Sequence, residues 1–410
     1  MKKICFFIAL FFSIQIVAQT NIEVVNIENK AVQDYLRDAR ATYSTNNNYS
    51  VSVVAKYNDT AIYGHKLHWP AGKYVSWNTS VSIDNINEIR ITVSENPDYT
   101  NPFTFNPSDK NDKDFIIRNL LPNRIYYYKV EEFLNNGSHN ILKDGVFRTE
   151  GQIRMIQVRN CGNVRDIGGW DSSYGGTIKY GKLYRSGSLN MATKEGKHDF
   201  VDNLGVRAEL DLRYEVNQSH SSLGQDIDYD RRRHEAGTKG LTQSKHELLR
   251  DLKWIINKLK QGKNVDWHCA IGCDRCGLVS FLIEGLLGMS EQDLSIDFEL
   301  STFSLRAPNK RPRAHVKSML DFIKKYGPAD DLAKCFYNYW REIGMNTNDL
   351  DYFIDEMIDK SGNQGMIQQI DTQDFFELQK IKVPEIRPEL KPYRTPPDCT
   401  LQLNRDYVVM

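Results

Sequence analysis

A chain of 410 residues is too long for one ordinary domain and long enough for two cores, and its 40% hydrophobic and 26% charged content is that of a soluble globular protein. Lysine plus arginine equal aspartate plus glutamate at 53 each, so no global field favours nucleic acid or an anionic membrane. Attraction for an anionic ligand must come from a local site.

Lys2 and Lys3 precede an apolar run from Ile4 to Val17, and Ala18 offers a small residue for cleavage. Residues 1–18 therefore read as a signal peptide, and the expected destination is the periplasm, the cell surface or the medium. No later stretch approaches ~20 apolar residues, so no integral span is expected once the signal is removed. Six cysteines then remain: Cys161, Cys269, Cys273, Cys276, Cys335 and Cys399. Three of them crowd into eight residues, a spacing that suits chemistry better than a disulfide framework. Cys335 and Cys399 could pair, although spacing alone does not establish it.

Residues 19–150 read mostly as β-structure. Residues 49–57 alternate, with Val51, Val53, Ala55 and Tyr57 on one face. Short strands are also expected at 74–77, 88–93, 114–117, 125–130 and 146–149, separated by Asn, Pro, Gly and Asp turns. The run from Leu120 to Val130, with Pro122, Tyr126, Tyr127 and Tyr128, and then Phe147-Arg148-Thr149, resembles the end of a fibronectin type III-like sandwich. That resemblance implies an all-β first domain and says almost nothing about its role.

Residues 151–362 change to alternating strands and helices, the pattern of an α/β domain. A helical stretch at 194–204 leads to a strand at 207–212. The stretch 243–260 is amphipathic, with Leu248, Leu252, Ile255, Ile256 and Leu259 on one face. A buried-type strand is expected at 264–267 and an apolar helix at 278–287, with further helices at 291–303, 314–325, 330–342 and 350–360. Five prolines between Pro384 and Pro397 mark 363–410 as an extended C-terminal arm.

The chemistry concentrates in Val265-Asp266-Trp267-His268-Cys269-Ala270-Ile271-Gly272-Cys273-Asp274-Arg275-Cys276-Gly277, between that strand and that helix. A loop entering a helix N-terminus aims backbone N–H groups and the positive dipole end at one point, which makes an anion site. Gly272 lets the loop turn, and Gly277 allows close helix packing. A helix N-terminus can lower a cysteine pKa from about 8.5 to roughly 3.5–7.5, so Cys269 is suited to attack phosphorus as a thiolate. Arg275 can fold back and grip two equatorial oxygens with its planar fork. The backbone of Ala270, Ile271, Gly272, Cys273, Cys276 and Gly277 would line the substrate. No metal and no cofactor are expected.

His-Cys-x5-Arg is the signature of the protein tyrosine phosphatase superfamily, and the longer match resembles its bacterial tyrosine/serine phosphatase family. Three upstream elements carry the same resemblance: Asn163-Val164-Arg165-Asp166-Ile167-Gly168-Gly169, Tyr184-Arg185-Ser186 and Asp211-Leu212-Arg213. It implies a cysteine nucleophile, an arginine clamp and an aspartate general acid inside the loop, here Asp274. Asp166 is the second candidate acid, and either aspartate could instead only fix Arg275. His268 is expected to orient the loop and stabilise the thiolate. Arg165, Arg185 and Arg213 are expected to be scaffold. The chain departs from the family at Cys273, where a lysine is common, and at Cys276, where a threonine is common. Losing the lysine disfavours polyanionic inositol lipids, and losing the threonine hydroxyl weakens the donor to the leaving thiolate.

The spacing of Cys269, Cys273 and Cys276 also matches an iron–sulfur motif, but export exposes such thiols to oxidant, and Arg275 and His268 fit the phosphatase instead. A structural zinc site lacks a fourth ligand at suitable spacing. The expected substrate is a phosphorylated protein or small phosphomonoester, most directly phosphotyrosine or phosphoserine. A phosphoinositide or inositol phosphate is the alternative, and a phosphate-binding or adhesion protein with little turnover is the reading from another class. Cys161, two residues before Asn163, reads as an inert buried thiol or, alternatively, as the thiol that rescues oxidised Cys269, a bond that strains the backbone less than one to either loop neighbour.

Overall fold

The computed structural model describes residues 22–45, 69–214, 218–303 and 313–361. The expected signal peptide, the expected strand at 49–57 and the proline-rich arm with Cys399 lie outside the described residues.

The first region contains β1 (Glu23–Asn26), α1 (Lys30–Thr45), β2 (Lys73–Ser76), β3 (Ile86–Ser94), β4 (Phe103–Phe105), β5 (Asp114–Ile117), β6 (Ile125–Leu134) and β7 (His139–Glu150). A five-stranded sheet runs in the order β1-β7-β6-β3-β4. It is antiparallel except for β1, which lies parallel to β7. Strands β2 and β5 pair separately, and the two sheets close over one core in which Val75, Trp77 and Ile117 meet Ile91, Val93, Tyr126, Val130 and Phe147. Period-2 burial explains the pairing: alternate residues of β3 and β6 enter that core.

Helix α1 departs from the all-β expectation. Ala31, Val32, Tyr35, Leu36 and Ala39 repeat at helical spacing and are all buried. They pack into the core of the α/β region rather than between the sheets. The Tyr35 hydroxyl donates to Glu299 Oε2 at 2.6 Å, and its ring meets Phe303 edge-on at 5.5 Å. The Glu28 carboxylate accepts the N–H groups of Gln152 and Ile153 at 2.8 and 2.7 Å, fastening the junction between the two regions.

The second region contains β8 (Arg165–Asp166), β9 (Thr177–Ile178), β10 (Leu183–Ser186), α2 (Lys194–His198), β11 (Val206–Asp211), β12 (Asp228–Arg231), α3 (Gly237–Gln243), α4 (Lys245–Lys260) and β13 (Asn264–His268). It continues with α5 (Asp274–Leu286), α6 (Glu291–Leu300), α7 (Arg313–Ile323), α8 (Leu332–Glu342), α9 (Thr347–Met357) and β14 (Ile358–Asp359). The main sheet has the order β12-β11-β13-β10-β8, with β8 antiparallel and the other four parallel. The predicted amphipathic face of α4 is buried as expected, joined by Asp251.

In the register of the central strand, Ser186 and Asp211 both stand beside His268. Three parallel strands thus end at one edge, the edge where open α/β sheets bind ligands. Helix α5 starts four residues before the expected position. Asp274 in its first turn complements the helix dipole, and the motif residues that read as loop already have helical backbone.

Candidate active site

Strand β13 ends at His268, and the chain turns through Cys269–Cys273 into α5. Gly272 has φ of +72°, and a Cβ there would lie 2.7 Å from the Ser186 backbone, so the turn presses against the end of β10 and tolerates only glycine. Ser188 N–H donates to Ala270 O at 3.2 Å, and Leu212 N–H donates to His268 O at 2.8 Å. Neighbouring strand ends therefore hold the loop from both sides. The first N–H groups of α5 have no intrahelical acceptor and converge on the loop.

Cys269 is buried, while the next residue, Ala270, is exposed and Ile271 half-buried, so the loop reaches solvent immediately after the cysteine. Its thiol is held well below the ordinary cysteine range. The hydrogen bond from the Cys276 thiol is the largest cause, and it outweighs burial together with the Arg275 charge and the N–H groups of Cys276 and Ile271. Cys276 is pushed well above its ordinary value, by burial first and then by the neighbouring thiolate, and so remains a donor. The reason is helical: side chains in a first turn lean back toward the N-terminus, which brings Cys276 under Cys269. The thiol bonded to Cys269 is therefore Cys276. Cys161 points its Sγ at Gly187 O at 3.5 Å. Replacing Cys276 by alanine removes the donor, so the Cys269 thiol must titrate higher. The expected result is an upward move in the pH midpoint of iodoacetamide labelling at Cys269. Turnover at neutral pH should fall by about 10–100-fold, the scale of one hydrogen bond to a charged group.

Arg275 donates through Nη1 to Leu212 O at 3.0 Å, and its guanidinium lies 4.9 Å from the Tyr214 ring centroid. It is half-buried at the lip. Asp274 is also half-buried, in the first turn of α5 beside Arg275.

The upstream motifs form the cradle beneath the loop. Asn163 Nδ2 donates to Gly272 O at 2.8 Å and Ile271 O at 3.3 Å, and its Oδ1 accepts from Arg165 at 2.7 Å. Arg185 donates to Gly272 O at 2.9 Å and to Asp297 Oδ2 at 3.0 Å. Arg165 grips the same aspartate through two bonds of 2.9 and 3.0 Å. Burial alone would push Asp297 up, but the two arginines outweigh it and hold the carboxyl below its usual range. Arg165 and Arg185 are thus scaffold, as expected. Arg213 is likewise tied to Asp211 at 2.7 Å and to Ser188 Oγ at 2.8 Å.

His268 is fully buried, with Nε2 2.9 Å from Glu209 Oε1 and Nδ1 4.0 Å from Asp211 Oδ1. Burial would lower its pKa, but the Glu209 hydrogen bond and the carboxylates of Glu209, Asp211 and Asp266 raise it. A buried ring in that setting orients the strand end and does not meet solvent.

Two expectations need correction, the places of Asp166 and of Gly277. Asp166 is not at the loop: it accepts from Arg154 at 3.0 Å, Gly168 N–H at 2.9 Å and Gly181 N–H at 2.8 Å. Strand β8 lies outside β10, so a whole strand separates Asp166 from β13. Cys273 and Cys276 turn their side chains inward, Cys273 Sγ accepting from Asn163 Nδ2 at 3.4 Å, so only their backbone can face a ligand. Gly277 is a packing residue, since a Cβ there would stand 2.8 Å from the Phe298 ring.

Sequence reasoning missed Asp297, Glu209 and Tyr214. The first two were readable only as charged residues inside stretches that had to be buried, and Tyr214 only as the residue after Asp211-Leu212-Arg213. A surface groove of about 380 Å³ lined by Tyr174, Tyr337 and Asp351 shares no residue with the loop.

No curated protein matches the sequence. A solved structure similar to part of it is the core catalytic domain of the PP-IP phosphatase SIW14 from S. cerevisiae in complex with citrate. The identity is 16%, over 37% of this chain and 88% of that one, with a TM-score of 0.26. The model of the tyrosine phosphatase family matches residues 156–358, which contain the loop, its cradle and α5 to α9. On that match and the setting of Cys269, residues 156–358 are a cysteine-dependent phosphatase domain of the protein-tyrosine-phosphatase type.

Proposed function

We propose that the protein hydrolyses phosphomonoesters on tyrosine, or on tyrosine and serine, of protein substrates through a cysteinyl-phosphate. The observation that carries this reading is a buried cysteine between the end of β13 and the N-terminus of α5, its thiol held well below the ordinary range by a thiol donor, backbone N–H groups and an adjacent guanidinium. The Cys269 thiolate attacks phosphorus and forms the S–P bond as the ester P–O bond breaks. Arg275 and the loop amides hold the equatorial oxygens, where charge spreads in the transition state. The departing oxygen takes the proton of Asp274. Water then attacks the cysteinyl-phosphate, gives its proton to Asp274, and releases inorganic phosphate and the thiolate.

Asp274 is assigned the acid by its place in the first turn beside Arg275. Asp274→Asn should slow an alkyl phosphate by about 100-fold, while p-nitrophenyl phosphate, whose leaving group needs little protonation, should lose about 10-fold at most. Equal loss on both would make Asp274 a structural residue.

The sequence supports export, through Lys2, Lys3, the apolar run and Ala18. N-terminal sequencing of the mature protein should begin at Gln19. The two N-terminal sheets are read as a fibronectin type III-like module. The Tyr126 hydroxyl accepts the Leu121 N–H at 3.0 Å, the kind of back-bond that ties a sandwich corner.

A further inference from the structure

We infer that Asp266 couples anion binding at the phosphate loop to a proton, its neutral form favouring a bound dianion and its ionised form opposing it. The inference deepens the phosphatase reading above and rests on it for the identity of the anion.

Asp266 lies on β13, three residues before Cys269, and is fully buried. In the sheet register Glu209 of β11 and Tyr184 of β10 stand beside it. His268 follows on the same face, but its Nε2 is 2.9 Å from Glu209 Oε1. Asp266 is left with one bond, from Ser186 Oγ to Oδ2 at 2.8 Å, and its Oδ1 has no donor among the described residues. A buried carboxyl with a single donor, near the acidic side chains of Glu209 and Asp211, resists ionisation. Burial is the largest cause that pushes it up to about 7; Glu209 adds to this, while the His268 charge and the Ser186 hydroxyl pull it down. Burial would also raise Asp211, but Arg213 and His268 outweigh it and hold that carboxyl below its usual range. Burial pushes the Tyr184 hydroxyl and the Cys276 thiol up, so both stay neutral. Asp266 is thus placed to change charge at a pH where Asp211, Tyr184 and Cys276 do not.

Ser186 connects this carboxyl to the loop. Its hydroxyl donates to Asp266, and its backbone is what a Cβ on Gly272 would strike at 2.7 Å. Its carbonyl lies 3.5 Å from Sγ of Cys276, the donor to Cys269. One residue therefore separates Asp266 from the turn of the loop. Three strand residues place a charge on Asp266 about 10 Å from Cys269, and an anion in the loop just beyond. Two like charges at that range, with no water between them to screen, oppose each other by about 5-fold in binding.

The test titrates the full chain with inorganic sulfate, a dianion across the range, by calorimetry from about pH 5.5 to 8.5. Asp266→Asn should bind sulfate as wild type does at the acid end, where Asp266 is neutral, and about 5-fold more tightly at the alkaline end. The ratio of the two affinities cancels every ionisation they share, and it should step near pH 7. Around that pH the wild type should also take up more protons on binding than the variant, read from heats in buffers of different ionisation enthalpy. Ser186→Ala removes the donor that favours the ionised form, so its affinity should begin to fall at a higher pH than wild type. That second variant decides the matter where Asp266→Asn does not fold. A ratio that stays flat with pH, or a Ser186→Ala curve that tracks wild type, would overturn the inference. The expected step in a protein that hydrolyses no phosphate ester would uphold it and overturn the phosphatase reading alone. Failure of the wild type to bind sulfate at any pH would overturn both.

Discussion

Cys269→Ser should lose about 10⁴-fold or more in turnover, the scale on which removing a nucleophile acts. Vanadate or phosphate should still bind nearly as in wild type. The Cys269 thiol is held well below its ordinary range because the Cys276 thiol, Arg275 and the N–H groups of Cys276 and Ile271 outweigh burial. A serine hydroxyl in the same cradle starts from a far higher pKa, so the same donors leave it protonated and poorly nucleophilic. The anion site itself is backbone and guanidinium, which the substitution does not touch. Hydrolysis of p-nitrophenyl phosphate at the wild-type rate by Cys269→Ser would remove Cys269 from the mechanism. Loss of phosphate binding together with activity would point to a collapsed loop, which a thermal melt of the variant distinguishes.

Arg275→Lys should lose about 10²–10³-fold in kcat and kcat/KM together. The guanidinium is held by Leu212 O at 3.0 Å and by the Tyr214 ring at 4.9 Å, so its plane is set before substrate arrives. An ammonium has neither the plane nor the two-pronged contact, and a point charge on a flexible stem forfeits that preorganisation. The charge sum is unchanged, so the expected loss tests geometry rather than attraction. Raised KM with unchanged kcat would make Arg275 a uniform binder of phosphate.

The loop was legible because its parts lie close along the chain. A strand, a tight turn and a helix N-terminus within the stretch from Val265 to Gly277 must converge in space, whatever the rest of the fold does. The upstream motifs were legible as motifs but not as contacts. Asn163 reaches the loop and Arg165 backs Asn163, while Asp166, next along the same strand, faces Arg154, because successive side chains of a strand point to opposite sides. Cys276 was legible from the resemblance as the donor to the thiolate, but its weight was not: α5 begins at Asp274, and its first turn tips Cys276 back toward the sulfur, where its hydrogen bond is the largest influence on Cys269.

Strand β11 shows the limit most clearly. Val206, Ala208 and Leu210 alternate with Arg207, Glu209 and Asp211, a pattern that by itself says one face inward and one face to water. In the fold Glu209 and Asp211 are fully buried, because β13 brings His268 against them. Helix α1 escaped the β reading in the same way: its apolar stripe is local, but the α/β core it covers lies more than a hundred residues further on.

The sequence by itself determined the strand–turn–helix segment that carries Cys269 and Arg275 and the α/β class of the second region, since each depends on neighbours in the chain and on periodicity. Only the tertiary structure decided which charges meet. A buried arginine or histidine must have a partner, but the chain carries 53 acidic residues. Packing alone selected Asp297 for Arg165 and Arg185, and Glu209 for His268.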